Sequence, residues 1–70
     1  MKIINSEPGY IEIAYSVFET GRVNPILDSV AKMSGAEIQT RGFFMKRSII
    51  TGTACQVDCA VKIIHRKYYN

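Results

Sequence analysis

The passage SIITGTACQVDCAV, from Ser48 to Val61, restricts the fold of this chain more than any other passage does. The apolar run at its start ends at Thr51 and Gly52, which predicts a buried strand followed by a sharp turn. Thr53 and Gln56 then form a capping-box pattern, in which each side chain bonds the other residue's backbone N–H at a helix start. The passage therefore predicts a strand, a tight turn and a helix. The apolar positions of that helix are Val57, Ala60, Val61 and Ile64.

Two strand patterns lie at the start of the chain. From Tyr10 to Val17 the residues alternate with a period of two and are rich in β-forming types, which is typical of a strand. Met1 to Asn5 gives a weaker strand pattern, and Pro8 with Gly9 lets the chain turn between the two strands. One face of the second strand is predicted to hold Ile11, Ile13, Tyr15 and Val17.

A helix is predicted after a connector that spans Phe18 to Val23. Asn24 is a good N-cap, and Pro25 at the first helical position loses no hydrogen bond, so the pair predicts the helix start. Gly35 suits the left-handed residue that commonly follows a helix. The apolar stripe of this helix is predicted to be Ile26, Leu27, Val30 and Met33, with Ala31 at its edge.

The middle of the chain predicts two more strands. One lies within Ala36 to Met45 and is interrupted by Arg41 and Gly42, and Lys46 with Arg47 is predicted to begin the turn into Ser48 to Thr51. The element order is then strand, helix, strand, strand, helix, with an extra strand at the start. That order predicts an α+β sandwich, a single domain over residues 1–70, with a small, mostly antiparallel sheet of three to four strands and two helices on one face.

Length and composition narrow the class of protein. A domain of 70 residues buries only about 60% of the surface that its unfolded chain exposes, so oligomerisation is expected. The fractions of 47% hydrophobic and 21% charged residues are ordinary for a soluble chain. No apolar run reaches the roughly 18 residues of a membrane span, and Met1 to Asn5 has no signal-peptide core, so a cytoplasmic protein is expected.

The sequence contains no pattern that is typical of an enzyme active site. It has one histidine, no acid pair at a catalytic spacing, and five glycines scattered singly, so it contains no phosphate-binding loop or dinucleotide fingerprint. Cys55 and Cys59 lie on one face of the predicted helix, where reduced cysteines are expected to pack as small apolar residues. Two cysteines supply too few ligands for a metal site. No catalytic activity, metal or cofactor is expected.

The helix-to-strand passage from Asp28 to Ile38 resembles bacterial microcompartment shell proteins. That family reads there as an aspartate, three residues, a lysine, and small residues that lead into a valine-glutamate-leucine strand. Asp28, Lys32, Glu37 and Ile38 hold those places in this chain. The likeness continues in the strand-to-helix passage, where the matching residues are Gly52, Val57, Ala60 and Val61.

The resemblance also has departures. Thr53 stands where the family has an aspartate and can serve the same helix cap. The spacing from Glu37 to Gly52 is similar to that of the circularly permuted shell proteins of ethanolamine and propanediol utilisation. After Tyr69 no residues remain for the family's last strand. Either Met1 to Asn5 supplies that strand from the other end, as a permuted layout permits, or the chain is a divergent or fragmentary member that no longer tiles.

The resemblance implies a structural function in the cytoplasm. Six copies of such a chain form a flat cyclic tile, tiles abut with one another and with other shell proteins, and a central opening passes small metabolites to the enclosed enzymes. Lys32 matches the lysine that the family places at the tile edge, although a helix lysine is also commonly just solvated. The protein is then expected to be a hexameric part of a microcompartment shell.

The loop between the two middle strands matches the segment that faces the tile axis in the family. Its residues are Gly42, Phe43, Phe44, Met45, Lys46 and Arg47. A ring of cations around an axis attracts anionic metabolites, and a ring of large apolar side chains narrows the opening. The alternative is that a phenylalanine fills the core of the monomer and that the cations form an ordinary polar turn.

Charge supports an alternative function. Nine Lys and Arg against six Asp and Glu give a net charge of +3, and the one dense run, His65 to Lys67, precedes two tyrosines. With Arg41 and the loop residues, this run is the candidate surface of a small basic α/β domain that binds RNA. The run is also typical of a solvated helix end. A regulatory domain that dimerises through its sheet edge is the third hypothesis.

Overall fold

The computed structural model describes residues 1–69 and contains one four-stranded sheet and two α-helices. The strands are β1 (Lys2–Glu7), β2 (Tyr10–Ser16), β3 (Glu37–Arg41) and β4 (Met45–Thr51). The helices are α1 (Thr20–Ser34) and α2 (Ala54–Ile64), with a 3-10 turn at Val17–Glu19 and a π-helical turn at His65–Tyr69. The α+β class and the small antiparallel sheet predicted from the sequence are confirmed.

The strands lie in the order β1-β2-β4-β3, and each neighbouring pair is antiparallel. The weak pattern at the start of the chain is therefore a real strand, which runs on to Glu7 and pairs with β2 along its outer edge. Pro8 and Gly9 form the turn between them, as expected. β3 is the other edge strand, so α1 carries the chain from β2 across β4 to β3.

One face of the sheet and both helices enclose a single apolar core. The sheet contributes Ile11, Ile13, Tyr15 and Ile50, and the helices contribute Val23, Ile26, Leu27, Val30, Val57, Ala60, Ile63 and Ile64. Because side chains alternate along a strand, the residues between these positions point to the opposite face. That opposite face, called the open face below, carries no helix in residues 1–69.

The start of α1 differs from the prediction. The helix begins at Thr20 and not at Asn24, because the chain leaves β2 directly through the 3-10 turn Val17–Glu19 and is already helical. The predicted connector is therefore helical, and the predicted strand ends one residue early, at Ser16. Pro25 lies inside α1, where the missing N–H removes one intrahelical hydrogen bond.

The buried stripe of each helix differs from the prediction in part. Val23 lies in the part of α1 that precedes the predicted start and is fully buried, whereas Met33 in the last turn is 62% exposed. In α2, Ile63 is buried although it was not predicted to be, and the predicted Val61 is only partly buried. Ala31, predicted at the edge of the α1 stripe, is also exposed. The remaining predicted positions of both helices are buried, because the 3.6-residue period sets most of the stripe.

Candidate functional site

The connection between β3 and β4 is shorter than predicted. β4 begins at Met45, so the loop contains only Gly42, Phe43 and Phe44. Lys46 and Arg47 pair with residues of β2 in the ladder, and the predicted turn at these two residues is wrong. The hydrogen bonds available from two neighbouring strands favour a longer β4, which the local charge pattern did not indicate.

The loop projects its aromatic side chains into solvent. Phe43 is 78% exposed and Phe44 is 73% exposed, so the alternative in which one of them fills the core is wrong. The two rings contact each other edge to face, with centroids 5.0 Å apart. The Val17 N–H donates to the Phe44 carbonyl oxygen over 2.8 Å, which holds the loop against the 3-10 turn.

This end of the sheet, where Ser16 of β2 faces Met45 of β4, is called the hairpin end below. Phe18 in the 3-10 turn is 94% exposed, and Met45 is also largely exposed. With Phe43 and Phe44 they form the apolar tip, four large side chains in solvent at one end of a small domain. Exposed apolar groups gathered in this way are typical of interaction surfaces.

The two cations that the sequence placed together in the loop point to opposite faces of β4. Lys46 lies opposite Tyr15, on the helix side of the sheet, and is half-buried. Arg47 lies on the open face, where its guanidinium is 3.4 Å from the Glu12 carboxylate and the side chain is exposed. The pair therefore does not act as one cluster.

A row of residues crosses all four strands on the open face at the hairpin end. Lys2 pairs with Ala14, Ala14 with Arg47, and Arg47 with Arg41. The three cations are exposed, and Ala14 between them is small. We call these four residues the cationic row. With neighbouring strands about 4.8 Å apart, the row is about 14 Å long.

The π-helical turn is tied to the same end of the molecule. The Met1 amino group donates to the Glu19 carboxylate over 2.9 Å and to the Tyr68 hydroxyl oxygen over 2.6 Å, and the Tyr68 hydroxyl donates to Glu19. The Arg22 guanidinium lies 4.3 Å from the centre of the Tyr68 ring. These contacts bring the run His65 to Lys67 to the hairpin end.

Hydrogen bonds within this cluster shift two pKa values. The Tyr68 hydroxyl and then the Met1 amino group lower the pKa of Glu19 to about 2. The same hydrogen bond, followed by burial and the Glu19 charge, raises the pKa of Tyr68. Glu19 is therefore ionised at neutral pH, and its charge is already engaged by neighbours.

The cations of the chain are concentrated at the hairpin end. Of the nine Lys and Arg residues, eight lie there: Lys2, Arg22, Arg41, Lys46, Arg47, Lys62, Arg66 and Lys67. Lys32 lies at the opposite end, in the last turn of α1. Two acidic side chains contact groups at this end: Glu19, and Glu12 through Arg47. No local signal in the sequence indicates this concentration, because the residues are scattered from position 2 to position 67.

The remaining candidate residues lie elsewhere. Lys32 is exposed in the last turn of α1, at the end of the molecule opposite the hairpin. Gly52 makes the turn into α2, and Thr53 caps the helix: its hydroxyl accepts from the Gln56 N–H over 3.1 Å, and Gln56 accepts from the Thr53 N–H over 2.9 Å. The predicted capping box is thus confirmed.

The two cysteines differ in their surroundings, although both are free. Cys59 is half-buried and packs against the core as predicted, but Cys55, in the first turn of α2, is exposed. Within residues 1–69 no three His, Cys, Asp or Glu side chains converge to form a metal site. A groove at the opposite end is lined by Ser6, Glu7, Pro8, Ala54, Val57, Asp58 and Val61.

Comparisons with known proteins do not assign the chain to a family: no protein-family model, curated protein or solved structure matches it. The resemblance to shell proteins therefore rests on the residues of the two passages quoted above. Within the described chain, neither helix has the length and apolar character needed to span a membrane.

Proposed function

We propose that the protein is a non-enzymatic structural subunit that assembles with itself into cyclic tiles of the bacterial microcompartment type. The observation that carries the proposal is the place of β1. The permuted layout that the resemblance suggests has a strand supplied from the start of the chain. Lys2–Glu7 is a strand at the edge of the sheet, next to β2, which supports that layout.

The positions of the two candidate contact regions also support this proposal. Lys32 and the loop Gly42–Phe44 lie at opposite ends of a molecule whose longest dimension is 30 Å. In a cyclic tile one end of each subunit faces the axis and the other faces the periphery. The apolar tip would then surround a central opening for small metabolites, and Lys32 would meet a neighbouring tile. In this proposal the tile lies in a cytoplasmic shell with other shell proteins.

The mass of the protein in solution tests the proposal. We expect size exclusion with light scattering to give about 47 kDa, six times the 7.9 kDa of one chain, at both low and high salt. Persistence at high salt is expected because apolar contacts are not screened by ions. A monomer or a dimer in both conditions would overturn the tile.

Two matched variants test the role of Lys32. Lys32→Ala is expected to leave the hexamer intact and to reduce the association of tiles into sheets, measured by sedimentation at high protein concentration. Lys62→Ala removes the same charge from the other helix and serves as the control, since Lys62 is equally exposed in a last helical turn. Equal sedimentation of both variants and the unmodified protein would remove Lys32 from the tile edge.

A further inference from the structure

We propose that the hairpin end binds single-stranded nucleic acid, with the cationic row contacting phosphates and the apolar tip stacking on bases. Lys2, Arg47 and Arg41 stand side by side on adjacent strands of a sheet face that no helix covers in residues 1–69. A row about 14 Å long spans about four phosphates at the 3.4 Å spacing of a stacked strand.

The charge around the row fits a polyanion. Eight of the nine Lys and Arg residues lie at this end, and the carboxylate of Glu19 is engaged by the Met1 amino group and the Tyr68 hydroxyl. Glu12 is the one acid in contact with the row: its carboxylate lies 3.4 Å from the Arg47 guanidinium. Because Arg47 remains 65% exposed, it still offers N–H donors to a phosphate.

The aromatic residues supply the part of recognition that distinguishes nucleic acid from other polyanions. Phe43 and Phe44 follow Arg41 after a single glycine, and Phe18 stands on the adjoining 3-10 turn. Each ring is at least 73% exposed and is therefore open to a base. Stacking of bases on such rings is sequence-tolerant, since every base has a π-face.

This inference does not depend on assembly into tiles. The cationic row and the apolar tip belong to one chain, so a monomer carries the complete surface. Double-stranded nucleic acid keeps its bases stacked inside the helix and offers only phosphates to this surface, so single strands are expected to bind more tightly.

Fluorescence anisotropy with a labelled oligouridine of about 12 nucleotides tests the inference. We expect binding at about 50 mM salt that weakens steeply towards 200 mM, as phosphate contacts require. The double variant Arg41→Ala, Arg47→Ala is expected to bind about tenfold or more weakly and to lower the slope of log K against log salt by about 1.4 for two lost contacts. Ala31→Glu, Cys55→Glu changes the net charge by the same two units at two exposed positions of the opposite end and is expected to bind like the unmodified protein.

Two further experiments separate the contribution of base stacking from that of the phosphate contacts. Phe43→Leu, Phe44→Leu keeps the apolar character and is expected to weaken oligouridine binding about fivefold or more without changing the salt slope. Inorganic polyphosphate has no bases and is expected to bind more weakly than oligouridine at equal charge. The inference is overturned by any of three results: oligouridine does not bind, Arg41→Ala, Arg47→Ala and Ala31→Glu, Cys55→Glu weaken its binding equally, or polyphosphate binds as tightly as oligouridine. Light scattering on the same samples measures the mass of the protein and so tests the proposed tile independently of nucleic-acid binding.

Discussion

Glu19 and Tyr68, 49 residues apart in sequence, share a short hydrogen bond of 2.5 Å from the phenol to the carboxylate. The Met1 amino group donates to both side chains. Three distant parts of the chain, namely its first residue, the 3-10 turn and the π-helical turn, are thereby joined at the hairpin end. The Glu19 carboxylate therefore helps to hold the turn after α2 in place, together with the Arg22 guanidinium, which donates to the Tyr68 carbonyl oxygen.

Stability is expected to fall when Glu19 is protonated. Its pKa is lowered from 4.5 to about 2, so the ionised carboxylate favours the folded state. The stabilisation is fully present above pH 4.5 and is lost as the pH falls towards 2. Urea unfolding at a series of pH values should show this loss, and Glu19→Gln should remove the part of the slope that corresponds to one proton.

Tyr68→Phe is expected to raise the pKa of Glu19 back towards its ordinary value, because the Tyr68 hydroxyl is the largest cause of the shift. Titration of the Glu19 side chain by NMR measures this directly. Tyr10→Phe is the matched control, since the Tyr10 hydroxyl donates to Glu12 and lies remote from Glu19. An unchanged Glu19 titration in Tyr68→Phe would contradict the assigned cause.

Ser48→Ala is expected to destabilise the protein by about 1–3 kcal/mol, the usual cost of leaving a buried polar group unbonded. The Tyr15 hydroxyl is buried and lies 3.1 Å from the Ser48 hydroxyl, which in turn lies 2.9 Å from the hydroxyl of Thr40. Denaturant unfolding gives the change in free energy. In the double variant Tyr15→Phe, Ser48→Ala the loss should be smaller than the sum of the single losses, and strict additivity would argue against the bond.

Gly42→Ala and Gly21→Ala are expected to change stability in opposite directions. Gly42 has φ +104°, and a Cβ there would lie 2.2 Å from the Met45 carbonyl oxygen, so the alanine should cost about 1–3 kcal/mol or more. Gly21 lies in α1 with open space around it, so the alanine should stabilise by about 0.5–1 kcal/mol. Melting temperatures of both variants provide the comparison.

Thr53→Ala is expected to cost about 1 kcal/mol, because it removes the hydroxyl that caps α2. Thr53→Ser keeps a hydroxyl at the same place and should remain close to the unmodified protein. Circular dichroism during urea unfolding measures both. If the alanine and serine variants unfolded at the same urea concentration, the cap would contribute nothing.

Most elements of the fold were predictable from short stretches of sequence. The alternation from Tyr10, the Thr53–Gln56 capping box and Gly35 after α1 each gave the correct element, because each signal acts over a few neighbouring residues. The errors lie where distant contacts compete with local preference. The Asn24–Pro25 pair is a good helix start by itself, yet the turn held against Tyr68 starts the helix earlier.

The candidate surface was less predictable than the fold. The sequence pointed to Phe43, Phe44 and Arg47 as neighbours of one loop, but it left open whether the rings were buried or exposed. Residue type could not decide this, since phenylalanine is usually buried. Arg41 was already a candidate, but no local signal connected Lys2 to it across the sheet.

The sequence by itself determined the α+β class and the capped second helix, since periodicity and capping depend on neighbours within about one helical turn. Tertiary structure alone decided the strand order and register, and with them the row formed by Lys2, Arg47 and Arg41. A net charge of +3 is mild when spread over the chain. Pairing of strands from both halves of the sequence concentrates it at one end, because residues far apart in sequence become direct neighbours in a ladder.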